Sequence, residues 1–414
     1  MSSIDPRRRR VLQCLLAGGC AACLSEIGSL GSVFAQDEAL GPPLVAPEGS
    51  DLPLHPARWW KEIEGGRIEC ELCPKKCRVA DLERGACGVR ENRKGRYYTL
   101  THSRPCSIHL DPIEKKPFNH VLPGTQSLSL ATPGCNIECK FCQNWQIAQV
   151  RPEQVPTFEL RPEQVAALAL KHEAPTIACT YTEPVIFAEY VYDIAVAAKK
   201  AGVLALMVSN GFILEKPLLD LIEVLGAVKV DLKAYTGKFY KEVCGGELEP
   251  VLEALRRLRK KGMWTEIVVL IIPTLNDGDE EIRGLARFVR NDLGAEVPVH
   301  FNRFHPSYRI KNLPRTPVAT LDRARNIAMA EGLEFVYVGN VPGHPGNNTY
   351  CPRCGEIVIR RVGMAMVKNR LVSGRCPDCN RKIPGIWSVD DAPVSRKKHR
   401  VSSLISVASD EVPG

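Results

Sequence analysis

The sequence predicts an α/β protein built on a partial (β/α) barrel and flanked by small cysteine-rich metal-binding modules. Two observations carry this. From about residue 126 to residue 340, apolar strand-like runs alternate with amphipathic helical stretches, and eleven of the seventeen cysteines fall into three tight groups. The expected organisation is an export signal over 1–36, a linker over 37–58 and a four-cysteine module over 59–124. The core then spans 125–340, a zinc-ribbon-like module 341–390 and a flexible tail 391–414.

The N-terminus is read as a targeting segment. Arg7, Arg8, Arg9 and Arg10 precede Val11-Leu12-Gln13 and an apolar run through Leu24, and Val33-Phe34-Ala35 supplies a small-residue cleavage pattern before Gln36. The paired arginines resemble a twin-arginine signal, the route of folded, cofactor-loaded proteins. The apolar run is too short for a confident span, so no transmembrane domain is expected in the mature chain. Residues 37–58 are rich in Pro, Gly and acidic side chains, as a linker is, and folded sequence begins at Trp59-Trp60.

Cys70, Cys73, Cys77 and Cys87 follow, spaced for a compact four-thiolate site that suits zinc, rubredoxin-type iron or an auxiliary Fe–S cluster. In the core, the strand-like runs are 127–131, 176–182, 203–210, 227–233, 265–273, 297–304 and 334–340. Helix-like stretches lie at 165–172, 184–201, 250–261, 280–292 and 321–331. Such alternation favours parallel strands covered by helices, with chemistry at the C-terminal strand ends. Directly after the first run comes Cys135-x3-Cys139-x2-Cys142. Three thiolates from one loop are suited to ligate three irons of a [4Fe-4S] cluster, with the fourth open to a small molecule; a zinc site completed by a distant ligand is the alternative. Beyond the core, Cys351-Pro-Arg-Cys354 and Cys376-Pro-Asp-Cys379 form two knuckles 21 residues apart, the pattern of a structural zinc ribbon, with iron as the alternative. Cys179 and Cys244 read as buried structural thiols rather than radical-handling ones.

The cysteine triad, with Phe141 just before its last member, resembles the radical SAM superfamily signature. That resemblance implies that SAM binds the open iron and that one electron cleaves it to methionine and a 5'-deoxyadenosyl radical, which abstracts hydrogen from a substrate. It also implies SAM-site roles for Asn144, for Glu183 in Thr180-Tyr181-Thr182-Glu183-Pro184, for Asn210, for the Asp231-Leu232-Lys233 pair, and for His300 in Pro298-Val299-His300. Tyr181 and Thr182 stand where relatives carry two glycines. Asp111-Pro-Ile-Glu-Lys-Lys-Pro117, Leu122-Pro-Gly124, Cys142-Gln-Asn-Trp145, Tyr181-Thr-Glu-Pro184 and Tyr337-Val-Gly-Asn340 narrow the resemblance to AmmeMemoRadiSam system enzymes, relatives of pyruvate formate-lyase activating enzyme.

The expected function is therefore reductive cleavage of SAM for hydrogen abstraction from an unidentified substrate, with no residue assigned to the abstraction itself. Two alternatives accompany it: an activase that installs a glycyl radical on a partner enzyme, and a non-enzymatic zinc-ribbon binding module. Expected partners are a flavodoxin- or ferredoxin-like electron donor, a protein substrate, or Memo-like and AMMECR-like proteins. Nucleic acid is not expected. The formal net charge is +8, part of the excess sits at the two ends, and no dense basic and aromatic surface is evident. The signal points to export and the chemistry to the cytoplasm, which leaves location open.

Overall fold

The computed structural model describes residues 52–394. The predicted signal, most of the linker and the tail beyond residue 394 lie outside the described residues. One eight-stranded sheet dominates, with strands β1 (Ser107–Pro112), β2 (Gln126–Ala131), β3 (Thr176–Cys179), β4 (Leu204–Ser209), β5 (Ala227–Asp231), β6 (Trp264–Ile271), β7 (Val299–Arg303) and β8 (Val336–Gly339) lying side by side in chain order. β1 and β2 pair antiparallel and all later neighbours pair parallel. The main helices are α1 (Pro162–Lys171), α2 (Ala188–Lys200), α3 (Glu215–Ile222), α4 (Leu248–Lys260), α5 (Asp279–Phe288) and α6 (Val318–Ala330). Because sequential parallel strands are joined by crossovers of one hand, the helices gather on one face and the sheet curls around the other.

Local signals explain the helices. α1 opens with Pro162 at its first position, and the Gln164 side chain reaches back to the Arg161 N–H at 2.8 Å. α4 buries Val251, Leu252, Leu255 and Leu258, which recur on one face, and turns Arg256 and Arg257 away from the core. Among the described residues no helix is long and apolar enough to cross a membrane.

The sheet's inner face needs a cover that its helices cannot supply. Ala178 of β3, Leu204 and Leu206 of β4 and Ala227 of β5 pack there against Ile113, Phe118, Val121 and Leu122, and against Ile386, Ala392 and Val394. Burying each large apolar side chain contributes roughly 1.5 to 3 kcal/mol. Two segments far apart in sequence thus form one plug, tied by a bridge between Val121 and Ile386. Its polar anchor is Glu266 of β6. This buried carboxylate accepts from the backbone N–H groups of Asn119 and His120, both at 2.9 Å, and bonds His300 Nε2 at 2.8 Å. Arg361 adds a second tie, donating to Asn119 O at 2.7 Å and to Glu114 at 3.3 Å.

Three features differ from the sequence expectation. β1 belongs to the main sheet, so the sheet begins at residue 107, ahead of the expected core start at 125. α3 was not anticipated, because an eight-residue helix carrying Pro217 gives a weak periodic signal. The first residues of the expected flexible tail are packed instead, with Ala392 and Val394 in the plug.

Smaller sheets form the flanks. Trp60–Ile63, Arg67–Cys70 and Arg78–Val79 make one; His55–Pro56, Arg90–Arg93 and Arg96–Thr99 make another; Thr349–Tyr350, Ile357–Val362 and Ala365–Asn369 make the third. The N-terminal pair docks on the barrel through a fully buried two-point ion pair. Arg90 Nη1 and Nη2 donate to Glu189 of α2 at 2.8 and 2.9 Å, and Arg58 N–H donates to the same carboxylate at 2.7 Å. Removing either partner would leave a buried charge uncompensated.

His120 lies inside the plug, its Nδ1 2.6 Å from Pro384 O and its Nε2 2.6 Å from the Tyr337 hydroxyl. A carbonyl can only accept, so Nδ1 carries the proton and Nε2 accepts from Tyr337. Burial pushes the His120 pKa down to about 4, below the 6.5 of an exposed histidine. The folded state therefore binds fewer protons than the unfolded state between these values, and stability falls as pH drops from about 6.5 towards 4. Thermal melts of wild type should lose several degrees between pH 7 and pH 4.5. His120→Gln should melt lower at pH 7 but lose distinctly less over that interval; an equal loss would place the acid sensitivity elsewhere.

Candidate functional site

The three-cysteine loop leaves β2 at Ala131 and is held by backbone contacts on several sides. Gly134 N–H donates to Ile147 O at 2.8 Å. Glu138 and Lys140 donate to the carbonyls of Cys244 and Val243 at 2.7 and 2.9 Å, in the π-helical turn Tyr240–Cys244 after β5. Arg309 N–H donates to Lys140 O at 2.9 Å, from the loop after β7. Gly134 is required where it stands. Its φ is +103°, and a Cβ would lie 2.9 Å from Ile186 Cδ1 and Val89 Cγ1 and 3.0 Å from Cys87 O.

The structure gathers most of the expected residues around this loop. Asn210, just past β4, places its amide nitrogen 4.0 Å from Cys135 Sγ and 2.8 Å from Asn136 Oδ1, while Asn136 donates to Phe212 O at 2.8 Å. Asp231 closes β5 and bonds Lys229 and Lys233, the latter at 2.9 Å. Burial alone would raise the Asp231 pKa, but the two ammonium groups hold it down to about 2. Both Asp231 and Lys233 are within electrostatic reach of Cys139 and Cys142. Phe141 is buried, its ring centroid 5.9 Å from that of Phe239.

Glu183 is more enclosed than a carboxylate open to a ligand. Val185 N–H, Ser209 Oγ and Asn210 N–H donate to it at 3.0, 2.7 and 2.7 Å, which occupies three of its roughly four acceptor directions. Burial still pushes its pKa up to about 7. The carboxylate ties the end of β3 to the end of β4.

His300 is the expected residue that the structure does not bring to a strand end. It is second of the five residues of β7, 3% exposed, and bonded to Glu266 of the plug anchor.

Asn144 donates to Tyr181 O at 2.7 Å, and Tyr181 links this loop to a constellation that spacing alone could not assemble. The Tyr181 hydroxyl donates to Asp111, whose carboxylate also takes Lys115 at 2.7 Å and Lys116, and the Lys116 ammonium stands 4.0 Å from the Tyr181 ring centre. Tyr181 has φ +63°, the left-handed backbone that only glycine adopts freely. The chain keeps that turn at a cost of about 1 to 3 kcal/mol, held by its contacts. Cys244 is likewise beyond sequence reach: its sulfur lies beside that of Cys139, and only the turn after β5 brings them together.

The sulfur sets differ in spacing. Cys351 and Cys379 stand 3.5 Å apart, Cys354 and Cys376 3.7 Å apart, and all four sulfurs lie within 4.8 Å of one another. A tetrahedral zinc with bonds of about 2.3 Å sets sulfurs about 3.8 Å apart, so these four fit one ion. Matching knuckles build them: Cys351 and Cys376 each accept from the residue four positions on, Gly355 and Asn380, both left-handed at φ +78° and +59°. Among the described residues, neither Cys135, Cys139 and Cys142 nor any three of Cys70, Cys73, Cys77 and Cys87 crowd so closely. The barrel thiols fit a larger inorganic core, with the Ile137 and Asn144 amides turned to Cys135 and Cys142. His55, His102 and Asp193 also cluster, but the imidazoles stack at 3.7 Å and 3°, and His102 Nε2 is spent on Asp193 at 2.9 Å. Parallel rings aim their lone pairs side by side, so this group reads as a docking contact.

The sequence profile described as the Radical SAM superfamily matches residues 129–289. An uncharacterized protein of Methanocaldococcus jannaschii is 42% identical over 332 residues, covering 80% of this chain and 99% of that protein. Pyruvate formate-lyase 1-activating enzyme of Escherichia coli K12 is 22% identical over 219 residues, 49% of this chain and 89% of its own. Among solved structures, a domain of pyruvate-formate lyase-activating enzyme from Bacteroides vulgatus aligns at a TM-score of 0.35 and 17% identity, over 40% of this chain and 98% of that one.

Two substitutions test the site's construction. Gly134→Ala should destabilise the chain by about 2 to 5 kcal/mol through strain and overpacking, and should halve or abolish iron uptake in anaerobic reconstitution. Cys376→Ser should lose one metal per chain by elemental analysis and become protease-sensitive after about Tyr350, while iron at the barrel loop is retained. An intact C-terminal region with full metal content would refute the ribbon assignment.

Proposed function

The chain belongs to the radical SAM superfamily and is related to pyruvate formate-lyase activating enzymes, and from that premise we propose that Cys135, Cys139 and Cys142 hold a [4Fe-4S] cluster at which SAM is bound and cleaved. The observation that carries this is the clamped loop, with three thiols from one segment and Asn210, Asp231 and Lys233 around them. When bound, the reduced cluster with SAM supplies a 5'-deoxyadenosyl radical that takes hydrogen from a substrate.

The chain's own residues do the rest. Lys233, held by Asp231, would offer a cation to the SAM carboxylate, and Glu183 would offer its one remaining acceptor direction to the SAM ammonium. Asn210 orients Cys135 through Asn136. The plug closes the inner face over β3, β4 and β5. The finer reading is an enzyme of the AmmeMemoRadiSam type with an unidentified substrate. In its support, residues of the narrower motifs meet: Asp111 and Lys116 converge on Tyr181. Zinc is the ion proposed for the C-terminal knuckles.

Anaerobically reconstituted protein given dithionite and SAM should release methionine and 5'-deoxyadenosine, and its reduced EPR signal should change when SAM is added. Cys135→Ala, Cys139→Ala and Cys142→Ala should each abolish both effects while zinc stays bound. Unchanged spectra in all three variants would sink the proposal. A glycyl-radical signal appearing in a co-expressed partner enzyme would favour the activase alternative over the AmmeMemoRadiSam type.

A further inference from the structure

The N-terminal cysteines are more than a cap on the barrel. Every one of their sulfurs is met by a backbone amide: Leu72 N–H at Cys70, Lys75 N–H at Cys73, Val89 N–H at Cys87, and Ala86 N–H at Cys77 at 3.4 Å. Such contacts stabilise thiolate charge and are one of the levers by which proteins tune iron–sulfur centres. All four cysteines are free of disulfides, and Cys70 N–H donates to Cys77 O at 2.9 Å to close the loop that presents them.

Three further observations point to what sits among them. The Tyr97 hydroxyl is buried with no oxygen or nitrogen partner, and it lies beside Cys70. A phenol in that position is satisfied by a charged thiolate or an inorganic sulfide. Gly85 keeps space clear: a Cβ there would stand 3.2 Å from Tyr97 Oη and 3.6 Å from Cys77 Sγ. No three of these sulfurs lie within 4.8 Å of one another, unlike the C-terminal four, whose spacing fits one tetrahedral ion. A polynuclear core between the thiolates requires that wider setting.

The module also touches the barrel site. Cys87 O and the Val89 side chain crowd the position that a Cβ of Gly134 would take, one residue before Cys135. Leu214 N–H, in the loop that follows Asn210, donates to Leu72 O at 3.1 Å, between Cys70 and Cys73. The two ligand loops are thus in direct contact, with no intervening layer of protein.

We propose that Cys70, Cys73, Cys77 and Cys87 hold a second iron–sulfur cluster, packed against the Cys135 loop as the entry point for electrons. The module accepts one electron from a flavodoxin- or ferredoxin-like donor and gives one on, so it returns to its starting oxidation state. This rests on the reading of Cys135, Cys139 and Cys142 as a cluster site. The test is built so that the two can fail separately.

Full-length protein, reconstituted anaerobically with iron and sulfide, should carry about eight irons per chain. The triple variant Cys135→Ala, Cys139→Ala, Cys142→Ala should keep about half, with a reduced EPR signal indifferent to SAM. Cys73→Ser with Cys87→Ser should keep the other half and the SAM-responsive signal. In wild type with both centres reduced, the two signals should broaden and relax faster than either alone. Should the double variant fail to fold, Tyr97→Phe replaces it: the SAM-indifferent signal should move to lower potential and the SAM-responsive one should not. A second zinc, beyond the one at the C-terminal knuckles, and no iron in the triple variant would overturn the proposal, and two clusters without magnetic interaction would overturn the electron-entry role. Iron equal in wild type and triple variant, with no SAM-responsive signal, would refute the barrel site alone.

Discussion

A parallel sheet wound in one direction has an inner face that its own helices cannot cover, and most of this molecule follows from that constraint. The cover comes from 113–122 and 386–394, which meet only in the folded state. Since each half is apolar, each would expose hydrophobic surface alone, so the barrel and the chain beyond it are stabilised together. Glu266 makes the arrangement specific. Its buried carboxylate takes two backbone donors from the plug, Asn119 and His120, and a misplaced plug would leave it with only His300 and the Trp264 indole.

The same plug supplies part of the candidate site. Asp111 is next to last in the antiparallel strand that leads into it, and Lys116 lies within it, so the side chains that meet Tyr181 are fixed by the element that fills the core. Burial pushes Lys116 down to about 8 even with Asp111 beside it. Perturbed, enclosed groups of this kind occur at functional sites and in structural ion-pair networks alike. The strained backbone of Tyr181 sits at the junction of this group and the cysteine loop. Its turn is the one glycine would make, yet its phenol adds a contact that glycine could not.

Stability and chemistry are joined at the flanks as well. The N-terminal module is locked to α2 by the buried Arg90–Glu189 pair, and the same strand runs from the Cys87 turn. The C-terminal knuckles share an apolar cluster with Phe335 and Tyr337 of the last barrel segment. Metal held at either end would therefore be felt by the barrel through rigid contacts rather than through a linker.

Short-range pattern made much of this legible in the sequence. Cysteine spacing, strand–helix alternation and the polar residues at strand ends identify the barrel, the superfamily and the three sulfur sets, because ligand spacing and amphipathic period are local properties. What the sequence could not show is what depends on contacts across the chain. β1 joins the sheet through a hairpin partner, and Ala392 and Val394 are ordered by a pocket built hundreds of residues earlier. His300 carries the expected motif, but packing against Glu266 ties it to the plug. The approach of Cys87 to Gly134 and of Cys244 to Cys139 was likewise decided by tertiary structure, since loops from separate strands meet only when the sheet has curled.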